Sequence, residues 1–152
     1  MAWTTAQYPP SELSSQAAAV AGQYAVASAV PPSDTSDANV QQFNADMQKY
    51  EPPSPRAEQG EDAWAAVMAF AQVAKGLPNY DSQTVLTALG KECSLTVPLF
   101  GTVDYRKPGS LAKAPRLFNT KAYYLKVQDS NYVLDQSAPV DAASVLATSP
   151  GL

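Results

Sequence analysis

With no histidine and a single cysteine among 152 residues, the side chains left to do chemistry are chiefly carboxylates, hydroxyls, phenols and lysine amines. Glu61 and Asp62 are adjacent at the head of EDAWAAVMAFAQVAKG, where two acids suggest general acid–base work. Neighbouring residues on a helix point about 100° apart, so this pair makes a poor shared-proton dyad. The competing reading is that both acids sit in a first helical turn, facing free amides and the positive end of the dipole. Tyr123, Tyr124 and Tyr132 could form a stacking platform for bases or sugars, or could stabilise a hairpin across its strands. The lack of histidine removes Ser-His-Asp and Cys-His catalysis within one chain, and His-ligated zinc with them. Cys93, being alone, forms no intrachain disulfide or thiolate cluster, and reads as a small core residue rather than a nucleophile. The seven glycines are dispersed, and neither GxGxxG nor GxxxxGK[ST] occurs, so no phosphate-cradling loop is present.

Composition sets the frame for these residues. A chain that is 45% hydrophobic and 16% charged supports one domain-sized core. The net charge of −4 and the scattered Lys and Arg argue against a nucleic-acid partner. No run approaches the ~20 apolar residues of a membrane span, and MAWTTAQYPP lacks the features of a secretory signal. For an exported protein, a signal is expected outside this sequence.

The central element is the predicted helix Glu61 to Gly76. Trp64, Val67, Met68, Ala71 and Ala74 form one apolar row, and Ala63, Ala66, Phe70 and Val73 form a second, so burial on two adjoining faces is expected, under a parallel-type sheet. Lys75 and Gly76 supply the cation and left-handed stop of its far end. Upstream, Ser11 is the expected cap of a short helix starting near Glu12, and Gln23 to Val30 reads as a strand inside a sheet. After a Pro31–Asp37 loop, Ser36 or Asp37 caps a helix with Val40, Phe43, Met47 and Tyr50 inward, which EPPSP ends. Asp81 caps a third helix, Ser82 to Leu89, with Val85, Leu86 and Leu89 inward and Gly90 as its stop. Leu99 to Tyr105 is a strand candidate. Ala122 to Gln128 alternates apolar and polar residues, turns at Asp129-Ser130-Asn131 and returns as Tyr132 to Leu134, a hairpin. The tail after Pro139 reads as surface-attached or frayed.

The ordered set GQYAVASAVPPSDTSDANVQQFNADMQKYEP, EDAWAAVMAFAQVAKG, SQTVLTALG, FGTVDY and KAYYLKVQDSNYVLD resembles the C-terminal part of a type I periplasmic binding protein of ABC importers, of the branched-chain amino-acid-binding kind. The likeness runs from about Ala17 onward, and more weakly from Trp3. It implies an α/β, Rossmann-like, two-lobed fold of which this chain is the C-terminal portion, with three main helices, short strands and a terminal hairpin. On that reading residues 1–21 end the second lobe, 22–30 are a hinge-crossing strand, 31–118 are the later part of the first lobe, 119–138 make the hairpin and last crossing, and 139–152 are a tail. The implied function is capture of a small polar solute, such as a branched-chain amino acid, without chemistry or cofactor. An ABC permease is the implied partner of the full-length parent, in a periplasmic or cell-surface setting. A ligand-sensing receptor domain of the same fold is the alternative. Relatives are more than twice this length, so the chain reads as a fragment whose missing N-terminal half, or self-association, covers its exposed faces. The family's cleft maps onto Trp3, Thr4 and Thr5 and onto Gln59 to Glu61, giving Trp3, Thr4, Thr5, Gln59 and Glu61 as the implied ligand contacts. Beside that stands the plainer reading: a terminal Trp covering a core, solvent-facing threonines, and Glu61 as a dipole partner.

Overall fold

The computed structural model describes residues 2–5, 9–92 and 94–149; Cys93 and the Pro150-Gly151 end lie outside the described residues. In chain order the elements are β1 (Ala2–Thr4), α1 (Pro10–Ser15), α2 (Ala17–Val20), β2 (Tyr24–Ala27), α3 (Ala38–Tyr50), α4 (Glu58–Ala74), α5 (Ser82–Leu89), β3 (Leu95–Val97), β4 (Gly101–Val103), β5 (Lys121–Gln128), β6 (Asn131–Leu134), β7 (Val140–Asp141) and α6 (Ala143–Thr148). They fall into two compact units, Met1–Asp62 with Lys121–Asp141, and Ala63–Thr120 with Ala142–Leu152, so the boundary lies inside α4.

The first unit is built on a mixed sheet in the order β1-β2-β5-β6, with β7 pairing the start of β5. Only β1 and β2 run parallel; β5 lies antiparallel to β2, placing Ala25 opposite Leu125 and Ala27 opposite Tyr123. As an interior strand, β2 carries small residues on its covered face, and Ala25, Ala27 and Leu125 form a core patch sealed by Tyr123, Tyr132 and Leu134. A second patch joins Leu13 and Val20 of α1 and α2 to Val127. The β5–β6 hairpin turns on Asp129 and Ser130, both at positive φ, as a two-residue primed turn requires. α3 starts where Asp37 Oδ1 accepts from Asn39 N at 2.7 Å and Val40 N at 3.3 Å, and it buries Val40 and Phe43 completely.

In the second unit the later turns of α4 pack Ala69 and Val73 on Leu95 of β3, with Ala88, Leu89, Val97 and Tyr105 around them. Gln72 Nε2 donates to Thr96 O at 2.8 Å, and Gly76 ends the helix at φ +89°, a conformation that a Cβ would strain. Asp81 caps α5 through Thr84 N at 2.8 Å.

Several expectations are corrected. α4 does not bury two adjoining faces: Val67 is 64% and Phe70 46% exposed, Met68 and the alanines at 63, 66 and 71 also face solvent, and Trp64 is half-buried. The covered stripe is Glu61, Ala65, Ala69 and Val73, a row spaced by four, together with Ala74. The covered positions after Glu61 are all alanine or valine, and Ala69 and Val73 among them meet Leu95 of β3, so position on the helix rather than bulk decides what is covered. The sheet is mixed rather than parallel, with one parallel pair among its strands. Ser11 is not a cap, because Pro10 opens α1 and Pro9 holds the cap position without a side-chain bond. Tyr50 and Leu86 are exposed, each at the solvent side of its helix. Leu99 takes φ +69° in the turn between β3 and β4, so the expected single strand is a small hairpin instead. Of the two readings of the tail, the attached one holds over its described residues: β7 pairs with Lys121 and Ala122, and α6 follows.

Candidate functional site

The parallel pair β1 and β2 ends at Thr4 and Ala27, and the residues just past those ends meet the first turn of α4. Thr5 is buried and its hydroxyl donates to Glu58 Oε2. The other oxygen, Oε1, accepts from the Ser28 amide at 2.6 Å and from the Ser28 hydroxyl at 2.8 Å. Ser28 Oγ also lies 3.5 Å from Asp62 Oδ1, one helical turn beyond Glu58. A hydroxyl has one proton, so the shorter contact marks Glu58 as its acceptor. Glu58 is thereby held by three donors from two strand ends.

Beside this carboxylate lies a cavity of about 30 Å³, with Thr5, Ala29, Arg56, Glu58, Gln59 and Tyr132 in its wall. That volume holds a water or a methyl-sized group, not an amino acid. A wider concavity of about 170 Å³ shares Pro31, Pro32, Arg56 and Tyr132 with it. Arg56 donates to the carbonyls of Ser54 and Glu51 and to Gln48 Oε1 at 3.3 Å, which fixes its guanidinium where the two hollows adjoin. The wall therefore offers an anion at Glu58, a cation at Arg56 and apolar side chains between.

Burial dominates the electrostatics. It raises Glu58 above the ordinary carboxylate range, the Ser28 amide and hydroxyl draw it back, and the Asp62 charge adds a smaller push upward. Asp62 is likewise raised by desolvation and partly restored by the Ser28 hydroxyl. Glu61 is the extreme case: fully buried, with neither oxygen hydrogen-bonded among the described residues, it is pushed up to about 9, first by desolvation and then by Glu58, Asp62 and Asp37. It is uncharged at neutral pH, so it is no charge partner for the α4 dipole; loss of solvent outweighs the dipole's pull.

Of the residues implied by sequence, the structure brings Thr5 and Gln59 to one cavity wall. Trp3 and Thr4 lie in β1, opposite Ala25 and Val26; their side chains lie outside the described residues. Glu61 is beneath the surface and does not line the cavity. The sequence reading passed over Glu58, Ser28 and Arg56. Glu58 and Asp62 are spaced by four, and that spacing was the available sign that two acids share one helix face.

Among known proteins, no family model matches this sequence, and no curated protein does. A solved structure does: a branched chain amino acid ABC transporter from Thermus thermophilus with bound valine, at a TM-score of 0.58 and 15% identity. The match covers 89% of this chain and 37% of that one, so the chain spans little more than a third of the solved protein's length. At this identity the likeness shows the fold: a mixed α/β arrangement similar to part of a periplasmic binding protein.

Proposed function

We propose that the chain is the C-terminal portion of a solute-binding component of an ABC importer, which captures a small polar solute, such as a branched-chain amino acid, without chemical change. The observation that carries this reading is the position of the Thr5–Ser28–Glu58 constellation. In open α/β sheets ligands settle beyond the carboxyl ends of parallel strands, and this constellation stands beyond the ends of β1 and β2, at the opening turn of α4. The opposed charges of Glu58 and Arg56 across an apolar wall suit a zwitterion with a short side chain. The likeness to the Thermus protein, solved with valine, supports the same solute class.

In this reading Thr5, Gln59 and Glu58 face the solute, Trp3 and Thr4 flank it, and Glu61 backs the wall from beneath. Residues 1–30 belong to the second lobe and its hinge strand, 31–118 to the first lobe, and 119–138 to the last crossing. The partners are a permease and the remainder of the two-lobed fold, in a periplasmic or cell-surface setting. A hollow of about 30 Å³ is too small to enclose an amino acid, so affinity in this chain alone is weak, in the millimolar range. Thermal shift with valine, leucine, glycine and an uncharged valine amide tests this. The expected result is a small rise in melting temperature with the zwitterions that Glu58→Gln removes; an equal rise in wild type and variant, or none at high solute, overturns it.

A further inference from the structure

We propose that Glu61 is a buried proton-binding latch: with its proton on, it seals the first turns of α4 against α3 and the ends of β1 and β2, and loss of that proton opens the seam. Three structural facts converge. Glu61 is 0% exposed, and among the described residues neither of its carboxyl oxygens has a hydrogen-bond partner, so no hydrogen bond there stabilises a charge. It occupies the first place of the covered row that continues with Ala65, Ala69 and Val73, where every later member is apolar. Next to it, the Gly60 Cα faces the ring of Phe43, which a Cβ would meet at 3.4 Å, so there is little room for water to enter without movement.

Among the described residues, the titratable groups that act on it offer no counter-charge. Glu58 and Asp62 are on its own helix and Asp37 caps α3, while Tyr123 on β5, raised by burial, adjoins that same Asp37. All four are acids. Arg56, the nearest cation in sequence, is committed to Ser54, Glu51 and Gln48. A carboxylate at Glu61 would therefore repel Glu58, three residues earlier, and strain its bonds to Thr5 and Ser28. Glu61 reaches no solvent, so its proton leaves only as the seam opens, and its ionisation is accompanied by entry of water.

The sign follows from linkage. The folded-state pKa of about 9 stands above the ordinary 4.5, so the folded protein holds a proton that the unfolded chain has released. Stability is full below 4.5 and is lost as pH rises toward about 9, by up to about tenfold in the folding equilibrium per pH unit. Glu58 and Asp62, also raised, contribute in the same direction.

The latch is tested without any solute, so its failure is distinct from failure of the solute reading. Denaturant melts across that pH range are compared for wild type, Glu61→Gln and Glu61→Leu, alongside carbon-detected NMR titration of the glutamate carboxyls in wild type. The expected result is one glutamate titrating far above the others, a wild-type stability that declines with pH, and a markedly flatter decline in whichever variants fold. Parallel declines in wild type and variants, or no glutamate titrating above the ordinary range, would overturn the proposal; the NMR arm decides it should neither variant fold.

Discussion

Within the single helix α4, Glu61 is fully buried while Val67 and Phe70, further along, are 64% and 46% exposed. A hydropathy scale would exchange those places. The difference teaches that burial on this helix follows a geometric row, not side-chain polarity. Ala65 and Ala69 are covered, and the row that contains them passes through position 61 at one end and Val73 at the other. At the first end the buried acid sits beneath a hydrogen-bonded carboxylate and a cavity. At the other Val73 packs on Leu95, while Val67 and Phe70, off the row, face solvent, and such an apolar face promotes association between molecules.

The comparison is broken most severely by removing the cover over the first turn. Phe43→Ala is expected to cost about 3–5 kcal/mol, as emptying a fully buried aromatic site does, whereas Phe70→Ala costs less than about 1 kcal/mol. Paired denaturant melts that gave equal costs would contradict the assignment of buried and exposed rows. Next in size is the pH dependence at Glu61, a decline of up to about 1.4 kcal/mol per pH unit on the alkaline side of 4.5, which Glu61→Leu flattens. Ser28→Ala removes the hydroxyl donor from Glu58 while keeping the amide. We expect a loss of about 1 kcal/mol and a further rise of the Glu58 pKa, read by NMR titration. The smallest effect on stability sharpens the other end: Val67→Ser with Phe70→Ser is expected to shift stability by no more than about 1 kcal/mol, yet to reduce concentration-dependent association in sedimentation velocity.

Features written in local chemistry were legible from sequence. Asp37 and Asp81 cap α3 and α5 because a carboxylate before an apolar-periodic run satisfies free amides wherever it occurs. The alternation around Leu125 and Val127 places the hairpin, and Asp129-Ser130 closes it. What depends on distant partners was not legible. The exposed face of α4 is a property of its neighbours, and periodicity reports only that an apolar face exists. β3 and β4 are three residues each, too short for a period to register, and β7 forms by pairing with the far end of β5. Thr5 and Glu58 are 53 residues apart, so only tertiary structure joins them. Glu61 was read as a charged group at a helix start because its burial could not be seen, and burial is what neutralises it.

The most direct test of the account asks where a solute lands. Amide chemical-shift mapping of the chain titrated with valine should move Thr5, Ser28, Glu58 and Gln59 together, in a fast-exchange, weakly saturating manner, and leave α5 and the β3–β4 hairpin still. Shifts confined to that second region, or no shifts at solute concentrations far above the millimolar range, would contradict a solute cavity at the ends of β1 and β2.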